Sequence, residues 1–129
     1  MLDRLLADPT FGPRVDRARI GAAGHSSGAY TVLALAGLRL APNAYLTYCS
    51  ARQPGPDCKL VVDLEPSRIA DLAEAGKSRR DRRIRAVLAL APVLGPAAIP
   101  ASLRGITVPV VLVASPGDEV VPFDLNAAR

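Results

Sequence analysis

Aromatic side chains are scarce in this chain. It has two Phe, three Tyr and no Trp, 4% of the residues. Its core must therefore be aliphatic, built from Ala, Val, Leu and Ile, and with half of the residues hydrophobic there is enough material for one. Histidine occurs once, at His25, and cysteine twice, at Cys49 and Cys58. Two cysteines without a nearby histidine supply too few ligands for zinc, so no metal and no cofactor is expected. No run reaches the roughly 18 uninterrupted apolar residues of a membrane span. The opening Met1-Leu2-Asp3-Arg4-Leu5-Leu6 lacks the basic start, apolar run and small-residue cleavage site of a signal peptide. Read as a complete chain, the sequence is expected to be cytoplasmic. The net charge of +4 is too small to imply nucleic acid or a membrane surface as partner.

At 129 residues the chain has room for one compact domain, expected over residues 1–129. Met1 to Ala7 reads as a short helix stopped by Asp8-Pro9, followed by a loop with Gly12-Pro13. Arg19 to Gly24 is a brief, mostly apolar run, as in a buried strand of a parallel sheet. Ser26 to Leu40 is apolar on nearly every face, which predicts a buried helix. Ala41 to Pro66 is rich in Pro, Gly and polar groups and reads as an excursion from the sheet, with a short strand at Leu60-Val61-Val62. The two cysteines flank its Pro/Gly turn, where they either bond in an oxidising compartment or remain two thiols. A polar helix is expected from Ser67 to Ala75, ended by Gly76. Buried strands are expected at Ala86 to Ala91 and Val110 to Ala114, with one helical turn at Ala101 to Arg104 and a helix starting at Asp124. Strands alternating with helical or irregular crossovers predict an α/β fold with a parallel sheet.

The chemistry-bearing motif is Gly24-His25-Ser26-Ser27-Gly28, a G-x-S-x-G between the first strand and the long helix. A serine nucleophile must stand on a sharp turn at a strand's C-terminal end. Gly24 and Gly28 are expected to let strand and helix pass where a Cβ would clash. The helix N-terminus then directs free N–H groups at the reacting centre, and the Ser27 amide is one candidate oxyanion-hole donor. Read blandly, the same motif is a Ser/Gly-rich cap on an ordinary β-α unit.

A serine nucleophile needs a base, and the base an orienting carboxylate, in the chain order Ser, Asp/Glu, His. The acid belongs just past a strand's end. Asp118, in Gly117-Asp118-Glu119 after the third strand, is the first candidate and Glu119 the fallback; Asp63 and Glu65 lie in the excursion. The bland reading of Asp118 is a turn or capping aspartate. His25 sits inside the elbow, where it can line the pocket but is poorly placed as the base for Ser26. No histidine follows Asp118, and few residues precede the elbow strand to supply a second oxyanion donor. Lys77 to Arg85 holds six basic residues in nine, without the aromatics or motif of a nucleic-acid site, and is expected to be a solvated segment.

With these features assembled, the chain resembles the dienelactone-hydrolase-like branch of the α/β-hydrolases, the bacterial group related to platelet-activating-factor acetylhydrolases. The resemblance rests on Asp16 to Thr31 around the elbow, on Arg82 to Pro92, and on Pro109 to Val113 continuing through Gly117-Asp118-Glu119-Val120-Val121-Pro122. The cysteine-bearing loop is also similar to one in this group, where many members are exported, and a periplasmic or secreted location follows if this chain shares that feature. Ala29 departs from the second glycine of many relatives, and the triad histidine has no match.

The resemblance implies a three-layer α/β-hydrolase fold of which the chain holds only the central-to-late strands. It also implies a serine hydrolase of carboxylic esters or lactones working through an acyl-enzyme on Ser26, with Ser27 as oxyanion amide and Asp118 as triad acid. Without a histidine, turnover by this chain is expected to be weak or absent. The alternative is a non-catalytic remnant acting as a binding or interaction module. A partial sheet exposes unpaired edges and apolar faces, so self-association is expected.

Overall fold

The computed structural model describes residues 1–51, 58, 74 and 76–128. Three strands, Ile20–His25 (β1), Ile84–Leu90 (β2) and Val110–Val113 (β3), form one parallel sheet in the order β1-β2-β3. The helices are Leu2–Ala7 (α1), Ser27–Ala36 (α2), Pro42–Cys49 (α3), Pro100–Arg104 (α4) and Phe123–Asn126 (α5). Single 3-10 turns occupy Gly12–Arg14 and Gly95–Ala97. The chain is thus an α/β protein.

The main core lies between α2 and the sheet. Ala29, Val32, Leu33 and Ala36 of α2 pack with Val87 and Ala89 of β2, with Ile20 and Ala22 of β1 against them. The alanines let the helix lie close to the strands, and each buried Val or Leu contributes roughly 1.5–3 kcal/mol. The helix expected to run to Leu40 stops at Ala36. Gly37 takes φ 131°, a conformation that side-chain-bearing residues rarely adopt, and its amide caps the last turn on Leu33 and Ala34. Leu40 then pairs with Ala98 in an isolated bridge and packs with Tyr45 and Ala97 in a second cluster.

Tyr45 belongs to α3, which occupies part of the expected irregular excursion. Pro42 opens this helix at a position where its missing N–H costs nothing. Cys49, its last residue, is joined by a disulfide to the buried Cys58, with the two Cα atoms 5.4 Å apart. The strand expected at Leu60-Val61-Val62 and the helix expected from Ser67 to Ala75 lie outside the described residues, apart from Glu74.

Side chains alternate across a sheet. On the face away from α2 the register sets Gly21 beside Ala86, Ala23 beside Leu88 and Val111, and His25 beside Leu90 and Val113. No described helix covers this face, and Leu88, Val111 and Val113 are 37%, 58% and 50% exposed. The third strand was expected to be buried, and the structure corrects this. All four of its residues are exposed, because among the described residues β3 has one neighbouring strand and no helix over its outer face. The expected three layers are therefore present as two among the described residues. No helix among them is long and apolar enough to cross a membrane.

Candidate active site

Gly24, His25 and Ser26 carry the chain from β1 into α2 with no intervening loop. Strand β1 ends at His25 and α2 begins at Ser27, so Ser26 alone makes the reversal. It does so with φ 56° and ψ −120°, a conformation that costs a side-chain-bearing residue on the order of 1–3 kcal/mol. Three hydrogen bonds hold it there. The Ser26 amide donates to Leu90 O at 2.9 Å, and its carbonyl accepts from the amides of Ala29 and Tyr30. An ordinary serine N-cap has extended backbone and spends its hydroxyl on the second or third helical amide. Ser26 does neither, and its hydroxyl caps nothing.

The two elbow glycines differ in role. A Cβ on Gly24 would lie 2.2 Å from the Gly28 carbonyl oxygen and 2.9 Å from the Ala29 nitrogen. A Cβ on Gly28 would meet nothing within 4 Å. The expectation that both glycines avoid a clash is corrected: Gly24 yields to the Gly28 backbone, and the Gly28 position itself is open. Ser27, the first residue of α2, has an N–H with no partner inside the helix, and among the described residues no acceptor takes it. The expected oxyanion amide is thus available.

Asp118 lies beyond the C-terminal end of β3, in a turn closed by its amide on Ser115 O at 3.2 Å. Its Oδ1 accepts from the amides of Val120 and Val121 at 2.9 and 2.8 Å. One carboxylate oxygen therefore does the turn work of the bland reading. Oδ2 is engaged by no group among the described residues, so the carboxylate is oriented with one oxygen to spare. Glu119 is exposed and makes no such contacts. Asp63 and Glu65 lie outside the described residues.

Ser26 and Asp118 rim the same edge of the sheet, because β1 and β3 run parallel on either side of β2. Strands two places apart are separated by about 10 Å. A base serving both residues would lie along this edge. The structure does not bring His25 there. It is exposed, on the face away from α2, and makes no hydrogen bond to Ser26 or Asp118 among the described residues. The expectation that it is a poor base fits this placement.

Two features of this edge escaped the sequence reading. Ala91 and Leu94, in the loop after β2, also have positive φ, 44° and 68°. Together with Ser26 they place every positive-φ residue other than glycine among the described residues at one end of the sheet. Neither Ala nor Leu advertises such a backbone, so no sequence signal marks them. The Ala91 amide donates to Val113 O at 2.7 Å, which links this loop to β3.

An apolar cavity of about 330 Å³ opens below this loop, between Leu33, Leu103, Ile106, Val110 and Leu112, but Ser26, Ser27 and Asp118 do not line it. Among the described residues no three His, Cys, Asp or Glu side chains cluster as metal ligands. No protein-family model matches the chain, and neither a curated protein nor a solved structure matches it.

Proposed function

We propose that this chain carries the nucleophile and acid of a serine hydrolase of carboxylic esters or lactones, in an incomplete α/β-hydrolase fold. The observation that carries the reading is Ser26: strained backbone at a strand–helix junction, with its hydroxyl left uncapped. Backbone strain of this kind persists where surrounding structure holds it and concentrates at functional sites. In the proposed reaction Ser26 Oγ attacks the ester carbonyl and loses its proton to a base. The Ser27 amide stabilises the oxyanion, the alcohol leaves with a proton from that base, and water then hydrolyses the acyl-serine. Asp118 Oδ2 orients the base and stabilises its charged form.

The base is the missing part. The chain's one histidine, His25, faces away, and no other described residue is placed to serve as the base. Without it, only residual catalysis is expected. This gap favours a second reading, a non-catalytic α/β module that keeps the elbow as architecture.

Labelling with a fluorophosphonate probe, followed by peptide mapping, separates the two. The hydrolase reading expects slow labelling at Ser26, accelerated by imidazole added in solution as a surrogate base and absent in Ser26→Ala. No labelling of Ser26 at any imidazole concentration, with the fold intact by circular dichroism, would sink it and leave the module.

A further inference from the structure

The basic run from Lys77 to Arg85 carries six cationic side chains, and the fold sorts them into two groups. Three meet carboxylates. Lys77 and Arg79 both pair with Glu74, and Arg83 pairs with Asp81 and, across the chain, with Asp3 at 2.6 Å. The other three, Arg80, Arg82 and Arg85, have no carboxylate partner among the described residues. These three line one depression of about 270 Å³, with Leu35, Ile84 and Thr107 also in its wall. It lies at the N-terminal end of β2, the opposite edge of the sheet from Ser26.

The three arginines come to the cleft wall in different ways. Arg80 is anchored, donating from Nη2 to Thr107 Oγ1 at 2.9 Å. Arg85 is the residue left over by a register shift: Ile20 pairs with Ile84 and Gly21 with Ala86, so nothing in β1 opposes it. Such a bulge re-aims a side chain. Arg82 is exposed on the turn before β2 and donates to no acceptor among the described residues. Asp81 also lines the cleft, but Arg83 donates to both of its oxygens, from Nε to Oδ1 and from Nη2 to Oδ2. The same pairing holds the Asp81 carboxyl down to about 2, and Arg83, which it shares with Asp3, offsets part of its charge.

We propose that this cleft binds a small, multiply charged oxyanion of the phosphate class through Arg80, Arg82 and Arg85. Guanidinium forks match the oxygens of phosphate, alone or as a monoester, and are more weakly hydrated than ammonium groups. Three positive charges with no carboxylate partner among the described residues repel each other around one empty concavity and concentrate anions from solution. A nucleic-acid strand is a poorer occupant. Its recognition uses an extended basic track with aromatic stacking surfaces, and no aromatic side chain lines the cleft.

The test is calorimetric titration of the full chain with inorganic phosphate and, separately, with glycerol 1-phosphate, at ionic strength fixed by chloride. The variant is Arg82→Gln/Arg85→Gln, two exposed positions whose loss leaves the core untouched. Expected are saturable one-to-one binding, amide shifts at Thr107 and Val108 by NMR, and affinity at least about tenfold weaker in the variant, the worth of one charge-assisted hydrogen bond. Glycerol 1-phosphate binding as tightly as phosphate assigns the site to monoesters; binding of phosphate alone assigns it to the free ion. Absence of saturation in the millimolar range overturns the proposal, as does equal affinity in the variant. It also falls if a single-stranded oligonucleotide displaces phosphate with a steep salt dependence.

Discussion

The carbonyl oxygen of Gly28 sits 2.2 Å from where a Cβ on Gly24 would be. Both partners of that contact are backbone, so neither swings aside. Gly24→Ala is expected to destabilise the chain by about 1–3 kcal/mol, the cost of overpacking. Gly28→Ala is expected to be neutral, or to stabilise by up to about 1 kcal/mol, because its Cβ has space and alanine suits a helix better than glycine. Urea denaturation of the two variants checks the opposite signs. Equal losses from both would show that α2 does not pass β1 as described.

Ser26 carries the strain of the elbow. Glycine adopts φ 56° without the steric penalty of a side chain. Ser26→Gly is therefore expected to raise the stability by about 1 kcal/mol while removing the reactive hydroxyl. Thermal melts together with probe labelling test this. A melting temperature that falls would mean that the hydroxyl, rather than the backbone, stabilises the turn.

Asp81 and Arg83 give a pH signature. Hydrogen bonds from the Arg83 side chain, then from its amide, lower the Asp81 carboxyl from its ordinary 3.8 to about 2. A carboxyl depressed in the folded state adds stability above its unfolded value and loses it as pH falls through the folded one. The contribution should be complete above about pH 4 and vanish between there and pH 2. Since Arg83 also bonds Asp3 of α1, this pair ties the N-terminal helix to the start of β2. In Asp81→Asn the acid-limb loss of stability between pH 4 and 2 should be shallower than in the parent chain. Parallel acid limbs would rule the pair out as its source.

The bare sheet face should make the chain self-associate. Val111 and Val113 stand side by side along β3 on that face, both half exposed or more. Replacing them with lysine places charge on an apolar surface and an open edge without touching the α2 core. Sedimentation velocity is expected to show concentration-dependent association of the parent chain and a largely monomeric Val111→Lys/Val113→Lys variant. A parent chain that stays monomeric at high concentration would contradict the exposed face.

The elbow was legible because it is local. A short apolar strand, a serine between glycines and an apolar helix follow one another directly in sequence, and the helix packs back on its own strand. The place of Asp118, in a turn past a strand end, was legible for the same reason. Helix α3 went unread because Pro and polar residues masked it. Its signals were Pro42 at the helix start and Tyr45, Tyr48 and Cys49 at helical spacing.

By itself the sequence determined the parallel α/β layout, the aliphatic core and the turn at Ser26, all products of short-range pattern and periodicity. Only the tertiary structure decided the rest. An apolar run reads the same in a central or an edge strand, so the exposure of Val110 to Val113 depends on which neighbours arrive. Six clustered cations read as one solvated stretch until distant Asp3 and Thr107 each take one of them. That Asp118 commits Oδ1, and among the described residues leaves Oδ2 unengaged, depended on which amides its turn presented. At the elbow the sequence supplied the serine, and the hydrogen bond from its amide to Leu90 on the neighbouring strand helps to hold it in the strained conformation.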